Sequence, residues 1–248
     1  MSDKAAARPD YPYYNGMPVA ISPGGWGLVV AGCALGFLVL TFWPFPTFPL
    51  SLVSAGLFTL IPLLALMVAS GWHPPAIFRR LGLRDLGLAV GFGLLTLVCS
   101  FGVGLTLSRF IQMTQNEVAV SMASATPLEL VMFLSPTLVQ LVGEELVTIL
   151  PLLAVLWLCV NRFGMSRRAA IIVAVAVSTV WFAALHLPTY NWNILQCLLT
   201  IGTARIVLTM AYLLTRNVWV SSIAHIINDW TLFFIAFGLG HGPIGIGG

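Results

Sequence analysis

Glu144 and Glu145 stand side by side within the apolar stretch from Leu128 to Val160, in a chain that is 59% hydrophobic and 8% charged. One ionised carboxylate in hydrocarbon costs several kcal/mol, and a second beside it adds to that unless a cation, a hydrogen bond or a proton relieves the pair. Neighbouring residues on a helix point about 100° apart, so the two acids do not face one small site equally. One is expected to do chemistry while the other positions a partner. The plainer alternative is one structural ion pair and one acid facing a pore. Two acids so close in a low dielectric compete for a proton, which suits one of them to act as a general base near neutral pH.

Partners lie in later apolar stretches: His186, Arg205, His225 and Asp229. His186 closes the run Phe182-Ala183-Ala184-Leu185-His186. Phe182 lies one turn earlier on the same face, placed to wall a pocket beneath the imidazole. In the run from Ser221 to Trp230, spacings of three and four put His225, Asn228 and Asp229 on one helix face, which in a membrane must look into the bundle or a wet cavity. Taken singly, His186 reads as an interfacial histidine and the second group as a polar packing cluster. Taken together they suit water activation. A glutamate takes a proton from water, one histidine orients or shares it, and the second histidine with its Asx neighbour stabilises a developing oxyanion. Two histidines and a glutamate are also a plausible zinc set, although HExxH is absent and no two histidines sit at i, i+4. A different class of function is a transporter or channel in which the same groups relay protons. Inverted repeats would mark it, and the sequence shows none. His73 and His241, in loops beside Pro and Gly, are read as uninvolved. Cys33, Cys99, Cys159 and Cys197 fall in or beside apolar runs without CxxC spacing and read as free thiols used as small hydrophobes.

The elements that must hold these groups are membrane helices. A soluble domain carries about a quarter charged residues, and apolar runs here are long enough to cross a hydrocarbon core about 30 Å thick. Seven spans are expected, roughly Trp26–Trp43, Leu50–Trp72, Leu86–Ile111, Leu128–Val160, Ala169–Leu187, Trp192–Leu214 and Val218–Gly240. The fold is therefore an all-α polytopic membrane helix bundle. Its single transmembrane domain covers 26–240, between a polar, partly ordered N-terminal tail (1–25) and a Gly-rich tail (241–248). The fourth span exceeds one straight crossing, so Pro136 or Pro151 is expected to break or kink it. Glycines in spans 3 and 6 should permit close helix contacts. Lys4 and Arg8, then Arg79, Arg80 and Arg84, then Arg162, Arg167 and Arg168, then Arg216 fall on alternate connections. This bias places the N-terminus in the cytoplasm and the C-terminus outside. Lys4 and Arg8 sit too far from the first span for a removable signal peptide, and no small-residue cleavage site follows it. The net charge of +3 reflects the loop asymmetry and gives no reason to invoke nucleic acid. One tension remains: His186 lies about 27 Å along its helix from Arg168, and His225 only about 14 Å from Arg216, so a shared depth needs tilted, protruding or broken helices.

These residues resemble the CAAX-protease and bacteriocin-processing (CPBP, or Abi) family of intramembrane glutamate proteases, whose motifs EExxxR, FxxxH and HxxxN/D lie on successive helices. Here they correspond to Glu144-Glu145 with Ile149 at the arginine position, Phe182 to His186, and His225 to Asp229. Leu81-Gly82-Leu83-Arg84 before span 3 and Thr215-Arg216-Asn217-Val218-Trp219 before the last motif match as well, so the likeness covers roughly residues 80–235. It implies a membrane-embedded endopeptidase in a prokaryotic cell membrane, acting on a peptide or membrane-anchored protein. Prenylated-protein maturation, peptide processing and self-immunity to a bacteriocin are all family roles. It further implies Glu144, Glu145, His186, His225 and Asp229 as catalytic, with Phe182 supporting; Arg205 and Asn228 are expected as supporting residues by their placement, and no cofactor is expected, with zinc left as the competitor. Ile149 departs from the pattern. Arg205, at mid-membrane depth, is expected to supply the missing cation from a neighbouring helix. An inactive scaffold or immunity protein is the alternative that the departure leaves open.

Overall fold

The computed structural model describes residues 10–241; Lys4, Arg8 and residues 242–248 lie outside them. The described residues form helices α1 (Pro23–Phe42), α2 (Ser51–Ala69), α3 (Leu83–Leu107), the short α4 (Glu117–Ser124), α5 (Pro127–Asn161), α6 (Arg167–Leu185), α7 (Ile194–Gln196), α8 (Gly202–Thr215) and α9 (Val218–His241). A π-helical turn, Cys197–Ile201, joins α7 to α8, so Ile194–Thr215 forms one crossing. Seven helical segments are long and apolar enough to span a membrane. Large apolar side chains such as Leu64, Val98, Ile172 and Val180 face outward from them. In water those faces would be exposed at high cost, so the chain is an integral membrane protein.

The centre of the bundle is α5, with 67% of its apolar window buried against 17% for α3 and α9. It packs on α1, α2, α6 and α9. Of the expected break or kink, the break does not occur: α5 is one continuous helix with both Pro136 and Pro151 inside it. Its 35 residues reach about 52 Å at 1.5 Å per residue. Pro151 cannot donate to the carbonyl four residues earlier, which is that of Val147. The Trp181 indole N–H of α6 takes that acceptor at 3.1 Å, so the helix continues without an orphaned carbonyl.

Two glycines set helix approach where it matters for the site. A Cβ at Gly143 of α5 would meet the Phe58 ring of α2 at 2.6 Å and Thr59 Oγ1 at 2.7 Å. Thr59 Oγ1 donates to the Val139 carbonyl of α5 close by, at 2.9 Å. A Cβ at Gly93 of α3 would meet Ile227 of α9 at 2.8 Å. Gly93 lies in the third span, as expected. Gly202, in the sixth, has only ordinary contact with Thr179.

The N-terminal region differs from the expected polar tail. Tyr11, Tyr13, Tyr14 and Ile21 are buried against the core, and α1 begins at Pro23. Arg167 forks onto Asp10 at 2.6 and 3.0 Å, the Tyr11 hydroxyl donates to the Leu213 carbonyl, and the Ala76 amide donates to the Tyr13 hydroxyl. Partial burial pushes the Asp10 carboxyl up. The hydrogen bonds from Arg167, Tyr14 and the Tyr11 amide outweigh it and hold the group at about 2. This segment also resolves the depth tension. His225 lies about 10 Å from the start of α9, and His186 about 28 Å from the start of α6, yet both line one cavity. The α8–α9 turn therefore lies deeper in the bundle than the α5–α6 turn. Residues 10–22 and Ile77 of the α2–α3 connection fill the space beneath it, with the Val218 amide donating to the Ile77 carbonyl.

Candidate active site

Glu145 and Arg205 are both fully buried. Arg205 Nη1 and Nη2 meet the two oxygens of Glu145 at 2.6 and 2.9 Å, a planar fork between α8 and α5. Arg205 Nε donates to Thr209 Oγ1 at 3.1 Å, one turn along α8, and the guanidinium carbon lies 5.1 Å from the centre of the Phe182 ring. Every guanidinium nitrogen is thus bonded and one face is covered by an aromatic ring, which is how a buried cation becomes tolerable. Ile149, at the motif's arginine position, is fully buried in the apolar cluster one turn beyond Glu145. The cation on Glu145 comes instead from α8.

Glu145 Oε1 also meets His225 Nδ1 at 3.0 Å. An ionised carboxylate only accepts, so Nδ1 carries the proton and Nε2 is turned away from Glu145. His225 Nε2 then lies 3.8 Å from Glu144 Oε2 and 3.6 Å from Asp229 Oδ1. The pair of acids is therefore split, as their angular offset on the helix requires. Glu145 faces inward onto Arg205, while Glu144 remains 14% exposed and borders a cavity of about 590 Å³. Gln140, one turn before Glu144, donates to Glu144 Oε1 at 2.9 Å.

His186, His225, Asn228 and Asp229 line the same cavity. His186 stacks obliquely on Phe182, with ring centres 4.5 Å apart. Its Nδ1 is satisfied by the Phe182 carbonyl at 2.9 Å, which leaves Nε2 for the cavity. Asn228 Nδ2 donates to Asp229 Oδ1 at 2.7 Å, while Asn228 Oδ1 is buried with no partner among the described residues. A smaller cavity of about 260 Å³ between α1, α2, α5 and α6 also touches Gln140, Glu144, Phe182 and His186. The eight residues singled out from the sequence thus gather around one centre. His73 and His241 line neither cavity.

Gln140, Thr209 and Tyr190 were not singled out from the sequence. Gln140 was accessible to helical spacing, four residues before Glu144, and Thr209 likewise, four after Arg205. Tyr190 lies in the α6–α7 connection, where no periodicity points to it. Its hydroxyl accepts from Asn116 Nδ2 at 3.1 Å at the end of the cavity formed by the α3–α4 and α6–α7 connections, and burial pushes its phenol up. The Arg79–Arg84 connection lies at the opposite end of the bundle. Among the described residues, no group of three or more His, Cys, Asp or Glu side chains is arranged to hold a metal ion. The four cysteines are free and none lines the cavity.

Residues 126–231 match the family model described as type II CAAX prenyl endopeptidase Rce1-like. That segment, fewer than half of the chain's residues, contains all three motifs. No curated protein and no solved structure matches the chain.

Proposed function

We propose that this chain, of the CAAX-protease family through residues 126–231, is an intramembrane endopeptidase that hydrolyses a peptide bond with water activated by Glu144. The observation that carries the reading is the division of labour between the two acids. Arg205 neutralises Glu145 and leaves it to orient His225, while Glu144 borders the cavity with one oxygen held by Gln140. Glu144 takes a proton from a cavity water, and the resulting hydroxide adds to the scissile carbonyl carbon. His186 Nε2 polarises that water. Protonated His225 Nε2 donates to the oxyanion that forms, Glu145 holds the imidazole from Nδ1, and Asp229, 3.6 Å from Nε2, stabilises the imidazolium charge. As the intermediate collapses, Glu144 returns the proton to the leaving amine nitrogen and the C–N bond breaks. The substrate is a peptide or a membrane-associated protein. The residues perform this sequence without a cofactor. The membrane is that of a prokaryotic cell, with the N-terminus cytoplasmic and the C-terminus outside.

An inactive scaffold or immunity protein would keep the Glu145–Arg205 pair for stability alone, but would have no use for Glu144 held by Gln140 at the cavity. The test is cleavage of a peptide library by the purified protein, comparing wild type with Glu144→Ala. New termini that disappear in the variant support the reading, and an inert wild type supports the scaffold. Loss of cleavage with a strong chelator and its return with zinc would replace the metal-free mechanism.

A further inference from the structure

At the end of the bundle opposite the cavity mouth, Arg79 and Arg80 of the α2–α3 connection and Arg84 in the first turn of α3 border a cavity of about 290 Å³. Its remaining walls include Leu88, Leu214 and Asn217. None of the three guanidiniums forms an ion pair among the described residues, where the ion pairs of arginine are Arg167–Asp10 and Arg205–Glu145. Asp85 is the only acid on the wall, and its Oδ2 accepts from the Gly82 amide at 3.0 Å as a helix cap. Three unpaired guanidiniums against one capping carboxylate leave the concavity with an excess of positive charge, which an anion would relieve.

The wall is also fixed in place. Asn217, 2% exposed, accepts from the Arg79 amide and donates to the Arg79 carbonyl, both at 3.1 Å. The backbone carrying Arg79 is thereby pinned to the α8–α9 turn. Arg216 holds that turn in the left-handed region at φ 54°. A chain with no use for this corner would leave it loose.

The flanks identify the anion. Leu83 is 89% exposed, the most exposed large apolar side chain among the described residues, and Leu81, Leu86 and Leu214 are 41%, 43% and 54% exposed. Exposed leucines interleaved with arginines belong at the depth where acyl chains meet headgroups. A free phosphate has no use for the leucines, whereas a phospholipid uses both surfaces. We propose that this cavity binds the phosphodiester headgroup of an anionic phospholipid, with guanidinium forks on the phosphate oxygens and acyl chains against the leucines. The site is independent of the chemistry at Glu144.

The test is native mass spectrometry of the full chain in a neutral detergent, titrated separately with phosphatidylglycerol and phosphatidylcholine. Wild type should retain phosphatidylglycerol about tenfold better than phosphatidylcholine, and Arg79→Ala/Arg80→Ala/Arg84→Ala should reduce that preference to about twofold or less. Arg84→Glu places an acid in the first turn of a helix, where it is tolerated, and should weaken retention without unfolding. Arg162→Ala/Arg168→Ala removes positive charge elsewhere at the same end and should leave retention unchanged. Equal loss in that control would show a diffuse surface charge effect and overturn the site. So would displacement of the lipid by inorganic phosphate alone, or retention by the triple variant equal to wild type.

Discussion

Replacing Arg205 with Met keeps much of its volume and removes its charge, leaving the fully buried Glu145 carboxylate with only His225 as a partner. Removing one member of a buried ion pair costs about 3–5 kcal/mol, because the remaining charge stays desolvated. For a chain of this size each kcal/mol moves the melting temperature by about 2–4 °C, so Arg205→Met should melt ~6–20 °C lower. Scanning fluorimetry on the intrinsic tryptophans in detergent reads this directly. Adding Glu145→Gln removes the stranded charge while its amide oxygen still accepts from His225 Nδ1, so the double variant should recover most of the loss. Its activity should not return, since His225 is no longer held by an ionised partner. Arg205→Ala should lose both stability and activity, and adding Ile149→Arg, which restores a cation one turn from Glu145, should recover part of each. A melting temperature within about 2 °C of wild type for Arg205→Met would mean the fork carries little energy, and the compensation argument would fall.

Gly143→Ala adds a methyl where Phe58 and Thr59 already sit. It should push α5 off α2, destabilising by about 1–3 kcal/mol and lowering kcat through displacement of Glu144; unchanged stability would show that the two helices yield freely. Gln140→Leu removes the hydrogen bond to Glu144 Oε1 and should cut kcat by ~10–100-fold with little change in KM, whereas a pure KM effect would make Gln140 a substrate contact. Asp10 keeps its charge in the folded chain down to about 2, against about 3.9 when unfolded. Its pairing with Arg167 is therefore fully stabilising above the unfolded value and is lost as pH falls through the folded one. Protease sensitivity of residues 10–22 should rise over that window, and Asp10→Asn should show the raised sensitivity already at neutral pH. A variant as protected as wild type at neutral pH would place the anchor elsewhere.

The membrane class, the spans and the gathering of Glu144, Glu145, His186, His225 and Asp229 were legible because burial cost and helical spacing act locally along the chain. Arg205 was legible for the same reason: a guanidinium at mid-membrane depth must find an anion. Which anion it finds depends on how α5 and α8 rotate, and that is set by contacts such as Gly143 on Phe58 that lie far apart in sequence. That α5 stays continuous through Pro151 was not legible, because the Trp181 indole satisfies the Val147 carbonyl from another helix. Residues 10–22 read as a tail because their tyrosines and prolines lack periodicity. They are buried through single long-range bonds, Tyr11 to Leu213 and Tyr13 to Ala76, that no local pattern announces.

Glu144→Gln keeps the side chain's shape and an oxygen for Gln140 while removing the base. With a cleavable peptide identified, the purified variant should bind that peptide as wild type does and melt close to it, while kcat falls by about 10²–10⁴-fold, the range a positioned general base supplies. A folded Glu144→Gln protein that cleaves at the wild-type rate would show that the water is activated elsewhere.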